Sequence, residues 1–109
     1  MAWLLRDGEV LASLEVAHDR RSQSRGLLGR DGIEGALLLP RTRSVHTAGM
    51  RFPIDVAVCG ADLVVLHTRR LPPGRVTLPV RHGRQVIEAE AGAFARWGLV
   101  AGDQLEVRP

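Results

Sequence analysis

One aspartate and two histidines are the side chains of this chain whose types and positions could do acid/base or metal chemistry together: Asp55, His67 and His46. Asp55 and His67 flank a turn, Gly60-Ala61-Asp62, that sends one apolar run back along another. If residues 60–62 form a three-residue hairpin loop, Cys59 faces Leu63, Ala57 faces Val65 and Asp55 faces His67. All six then share one face of the sheet, because strand side chains alternate with period two. A carboxylate opposite an imidazole orients the ring, preparing it as a general base or a metal ligand. His46, on the segment feeding the same region, completes the ligand types of a facial metal site, although the spacing matches no compact His-x-x-x-His motif. The plainer role for Asp55 and His67, and the favoured one, is a structural ion pair or a capped strand end. One residue more or less in the turn breaks the pairing, since a slip of one turns a strand's side chains to the other face.

Arg43, Met50 and Arg51 lie beside His46 in sequence, so the candidate ligand-binding set is Arg43, His46, Met50, Arg51, Asp55 and His67. A second concentration follows: Arg69, Arg70, Arg75, Arg81 and Arg84 fall among Pro72, Pro73, Pro79, Gly74 and Gly83. Forked guanidinium donors on one face would bind an anion. A nucleic-acid surface would bring aromatic platforms as well, and Trp3, Phe52, Phe94 and Trp97 sit where a core would use them, so a solvated loop is the favoured reading. Cys59, on a buried strand, reads as a small core residue, Glu88 as the partner of an arginine, and Asp103 as the maker of a side-chain-to-backbone turn bond. The chain has no phosphate-binding glycine loop, no Gly-x-Ser-x-Gly elbow and no second cysteine.

The elements that must position these residues are mostly strands. Trp3–Leu5 and Glu9–His18 form a hairpin on an Asp7-Gly8 turn, with Val10, Ala12, Leu14 and Val16 alternating against polar residues. Asp19 caps a short helix over Arg20–Leu28. Gly35–Leu39 and Arg43–Thr47 follow as strands, then Ile54–Cys59 and Leu63–Thr68 as the central hairpin. Residues 69–84 are a loop with a short strand near Val76–Leu78. Val86–Ala91 is a strand, Gly92–Trp97 a short helix closed by Gly98, and Gln104–Val107 the last strand. The expected fold is therefore mainly β: one domain over 1–109, a compact antiparallel β-sandwich or barrel-like unit with two short helices.

Composition bounds the rest. With 45% hydrophobic and 25% charged residues the chain has the makings of a folded core. All fifteen basic residues are arginine, and the net charge is only +3. Without lysine or tyrosine to titrate near pH 10, that small excess lifts the isoelectric point to about 10.9, which overstates how basic the protein is at neutral pH. One cysteine allows no internal disulfide, no run approaches a membrane span, and the opening residues do not read as a secretory leader, so a cytoplasmic setting is expected.

Four ordered segments carry a likeness. They are Arg25-Gly26-Leu27-Leu28-Gly29-Arg30; Ser44-Val45-His46-Thr47 through Gly49-Met50-Arg51-Phe52-Pro53-Ile54-Asp55; Val86-Ile87-Glu88 with Ala91-Gly92; and Gly98-Leu99 leading to Gly102-Asp103. The chain resembles the bacterial and archaeal family known as domain of unknown function 192 over about residues 9–107. The resemblance implies a compact, mostly antiparallel β-fold and no enzymatic activity. The chain departs from the common pattern in having no leader, in carrying His46-Thr47-Ala48-Gly49 where many relatives have Trp-Met-Lys-Asn, and in lacking cysteines after the central hairpin. These departures argue against an envelope role.

The leading expectation is a non-enzymatic module that binds a small molecule or a protein, with no cofactor, no metal and no membrane partner. A hydrolase or metal-assisted enzyme using Asp55, His67 and His46 is the alternative, and arginine-mediated nucleic-acid binding ranks third.

Overall fold

The computed structural model describes residues 2–17 and 32–109. Within them lie β1 (Ala2–Arg6), β2 (Glu9–Val16), β3 (Ala36–Pro40), β4 (Ile54–Cys59), β5 (Val65–Leu71), β6 (Gln85–Glu90), α1 (Ala93–Trp97) and β7 (Leu105–Arg108). The helix expected over Arg20–Leu28 lies outside the described residues.

The described strands form one sheet in the order β5-β4-β6-β3-β2-β1-β7, where the sequence pattern allowed a two-sheet sandwich. Neighbouring strands run antiparallel except β2 and β3, which are parallel and joined by a connection long enough for a crossover. The turn at Asp7-Gly8 forms as expected, with φ of 53° and 78°, as a two-residue hairpin of right-handed twist requires.

The two edges of this sheet meet at one end. Val64 bridges Gln104. The Val65 N–H donates to the Asp103 carbonyl at 2.8 Å, the Gly102 N–H to the Val65 carbonyl at 2.7 Å, and the Leu105 N–H to the Leu63 carbonyl at 3.0 Å. Strands at opposite edges can touch only if the sheet curls, so the result is a half-barrel. Its concave face collects apolar side chains from every strand, among them Leu4, Leu14, Leu38, Ala57, Val65, Ile87 and Leu105, and packs them on Ala93 and Phe94 of α1.

The convex face of the central strands is covered too. Leu37, Ile54, Val56, Val58, Leu71 and Val86 lie under Val45, Met50, Phe52 and Val80 from the two long connections, 41–53 and 72–84. All six residues of β4 are consequently buried, so the strand is apolar at every position but Asp55 rather than alternating. The strand expected over Arg43–Thr47 reduces to a single bridge, His46 with Val76. Two buried threonines hold these connections together instead. Thr47 Oγ1 donates to the Pro72 carbonyl at 2.7 Å and accepts the Arg75 N–H at 2.8 Å. Thr77 Oγ1 accepts the Val45 N–H at 2.9 Å.

Thr47→Val keeps the shape and deletes the hydroxyl, leaving the Arg75 N–H and the Pro72 carbonyl without that partner. A loss of about 1–3 kcal/mol is expected in urea denaturation, against less than about 0.5 kcal/mol for His46→Ala at the exposed neighbouring position. Equal effects of the two substitutions would refute the staple.

Candidate functional site

The central hairpin turns one residue later than a 60–62 loop predicts. Leu63 adopts a left-handed conformation with φ of 65°, and the Gly60 N–H donates to the Val64 carbonyl at 3.0 Å. The loop is therefore Ala61-Asp62-Leu63, and Cys59 stands opposite Val65. A bulge follows: Val58 stands opposite His67, with Leu66 as the extra residue. The shifted loop alone would preserve which face each side chain takes, but the bulge reverses it. Asp55 consequently pairs with Arg70, and the expected Asp55–His67 pair does not form, the two side chains lying on opposite faces of the sheet.

Asp55 instead holds the helix. It is buried at 4% exposure on the concave side. Its Oδ2 accepts the Gly92 N–H at 2.9 Å and the Phe94 N–H at 3.1 Å, while Oδ1 accepts Arg70 Nε at 3.3 Å. The carboxylate thus caps the first turn of α1 from a neighbouring strand, satisfying amides the short helix cannot satisfy itself. At the other end Gly98, with φ of 64°, closes the helix in a conformation a side chain would strain. Arg6 there donates to the carbonyls of Trp97 and Gly98 and pairs with Asp103 at 3.0 Å. Asp103 also accepts the Val100 N–H at 3.0 Å, the turn bond expected of it.

The six residues singled out from sequence are not gathered into one site. Met50 is buried in the convex-side core, Arg43, His46 and Arg51 are exposed on the 41–53 connection, Asp55 faces the concave side, and His67 stands exposed on the convex face of β5. Among the described residues no three His, Cys, Asp or Glu side chains cluster as a metal would need. Cys59 is buried, and burial with nearby Asp62 pushes its thiol up to about 12, so it stays protonated as a core residue.

Glu88 departs from expectation. It lies mid-sheet between Leu37 and Val56, 5% exposed, and makes no ion pair with an arginine among the described residues. Burial among apolar neighbours pushes its carboxyl up to about 7.

Two hollows flank β5. On the convex side a cleft of about 380 Å³ opens between Val56, Val58, Leu66, His67 and Arg69 on one bank and Leu78 with its neighbours on the other. Gly83 lets the far bank sit this close, because a Cβ there would lie 2.8 Å from Val58 Cγ1 and 2.9 Å from the Val80 carbonyl. Thr77 points inward to Val45, so Val76 and Leu78 are turned out to 70% and 84% exposure. On the concave side a shallower hollow of about 370 Å³ lies between Asp55 of β4, Thr68, Arg69 and Arg70 of β5, and Phe94 and Ala95 of α1. From residue 63 to 84 the chain carries five arginines, two histidines and no carboxylate. Only Arg70 of those arginines has a carboxylate partner among the described residues. The arginines are visible in sequence as a cluster, whereas the outward turn of Val76 and Leu78 and the concave hollow depend on contacts between distant segments.

A curled seven-stranded sheet with one described helix against its concave face and an arginine-rich edge is the class of protein that this geometry defines. The chain belongs to the family DUF192, described as uncharacterized ACR, whose model matches residues 2–107. Among solved structures it is similar to a protein of unknown function from Novosphingobium aromaticivorans DSM 12444, at 23% identity and a TM-score of 0.80 over 96% of this chain and 82% of that one. It is also similar to a putative transcription regulator from Sinorhizobium meliloti 1021, at 22% identity and a TM-score of 0.80 over 97% and 91% of the two chains. These likenesses show the fold. No curated protein matches.

Asp55→Ala should lower stability by about 2–4 kcal/mol, mostly through the two unsatisfied helix amides, and His67→Ala by less than about 0.5 kcal/mol. The Arg70 contact adds little, since that guanidinium is 59% exposed. Matching losses in urea melts would restore a shared role for the two residues.

Glu88 carries a pH signature. Its folded pKa of about 7 exceeds the ordinary 4.5, so the folded state holds the proton more tightly. No penalty applies below about pH 4.5. Stability is lost as pH rises from there to 7, and above 7 the full cost is about 3 kcal/mol. Glu88→Gln should therefore match the wild type near pH 4 and exceed it by up to about 3 kcal/mol at pH 8. A stability difference that does not change with pH would contradict this.

Proposed function

We propose that this protein is a non-enzymatic binding module whose recognition face is the cleft between β5 and residues 76–80, and that its ligand joins an apolar part to an anionic part. The observation that carries the reading is the join of an apolar hollow to a carboxylate-free arginine bank. Val56, Val58 and Leu66 line the hollow, while Arg69 stands at its mouth without an ion-pair partner among the described residues. Leu78 and Val76 remain exposed beside it, and apolar side chains grouped at the rim of a cleft are characteristic of binding surfaces.

The hydrolase reading is weaker on this geometry. A general base needs a partner that orients it, and the bulge at Leu66 carries His67 away from Asp55, whose oxygens are engaged by Gly92, Phe94 and Arg70. Nucleic-acid binding would use aromatic platforms beside the arginines, and none lines this cleft. The buried free thiol of Cys59 fits a reducing, cytoplasmic setting.

Hexanoate and octanoate are suitable probes, each an apolar tail on a carboxylate. Titration followed by amide NMR should move the signals of Leu66, Arg69, Thr77 and Val80, with octanoate binding more tightly by about 10-fold, as two further buried methylenes predict. His67→Trp, which fills the mouth of the cleft, should remove the effect. Absence of any shift at these residues, or the same shifts in His67→Trp, would overturn the proposal.

A further inference from the structure

Resting on that reading, we infer that the ligand is an extended acidic segment of a partner polypeptide, which adds to the free edge of β5 as a further strand. Among the described residues β5 ends the sheet, with β4 on one side only. Its other side is tied to the β7 end through residues 63–65, and residues 66–71 make no further backbone bonds there among the described residues. An edge strand presents alternate N–H and C=O groups outward, a template for one more strand.

The two hollows make this edge selective. An added strand sends successive side chains to opposite faces of the sheet, and β5 has a hollow on each face. On the convex side the incoming side chain meets Val58, Leu66 and Leu78, which suit an aliphatic group. On the concave side it meets Thr68 and Arg70, whose Nε is held by Asp55 and whose remaining guanidinium donors suit a carboxylate. The matching ligand alternates acidic and aliphatic residues.

Charge chooses the occupant. Residues 63–84 carry five arginines and no acid, so a second copy of this chain laid along β5 would set guanidinium groups against guanidinium groups. An acidic segment instead brings carboxylates to these guanidinium groups.

The probe is the peptide acetyl-Glu-Leu-Glu-Val-Glu-Leu-Glu-amide, tested beside an isomer with its three aliphatic residues consecutive. Two N-methylated forms, each blocking the N–H groups of one edge, complete the set. Amide exchange at residues 66–70 should slow on binding, the consecutive isomer should bind at least 10-fold more weakly, and one N-methylated form alone should lose binding. Arg69→Ser and Arg70→Ser should each weaken binding several-fold, with folding checked by the unchanged amide signals of β1 and β2. Equal binding by both N-methylated forms would overturn the strand pairing. So would octanoate binding without peptide binding, which leaves the cleft reading intact, whereas failure of both probes would end both proposals. Displacement of the peptide by single-stranded DNA, with affinity falling steeply in salt, would overturn the inference in favour of a nucleic acid.

Discussion

The carboxylate of Asp55 is the joint on which the arrangement turns. It sits on β4, inside the sheet, and bonds two amides at the start of α1, so a helix of five residues that could not persist alone is fixed against the concave face. Arg6, held by Asp103, grips the other end, so a cation stands where the helix carbonyls are exposed and the Asp55 anion where its amides are. With α1 seated, Phe94 and Ala93 fill the curl of the sheet, and Phe94 and Ala95 form one wall of the hollow beside β5.

Burial of the sheet on both faces has a cost at Glu88. The concave face is filled by α1 and the curl, and the convex face is roofed by the two threonine-stapled connections. A carboxyl between Leu37 and Val56 is thereby removed from water without a compensating cation among the described residues. Its proton affinity rises because the neutral form is the cheaper one to bury. Stability and pH are coupled at a position that has no part in the proposed recognition face.

The edge at β5 shows how one feature serves two ends. Arginines along an exposed strand keep identical edges apart, as charged residues do on many sheet edges. In the proposed strand addition the same charges, placed between an apolar cleft and the hollow lined by Asp55 and Thr68, select the chain that docks.

By itself the sequence determined the local features. The Asp7-Gly8 hairpin, α1 with its Gly98 terminus, the turn bond of Asp103, the buried thiol of Cys59 and the strand-rich class all follow from residue type and short spacing. The family likeness, too, was legible, because it rests on motifs in linear order. Tertiary structure decided the rest. A left-handed Leu63 and a bulge at Leu66 separated Asp55 from His67, and no composition rule places a bulge. The single curled sheet came from backbone bonds between its distant edges, and the lone bridge at His46 from the long connections stapled by Thr47 and Thr77. Period-two patterning reports which side chains share a face only while the register holds, and register is set by contacts between segments far apart in the chain.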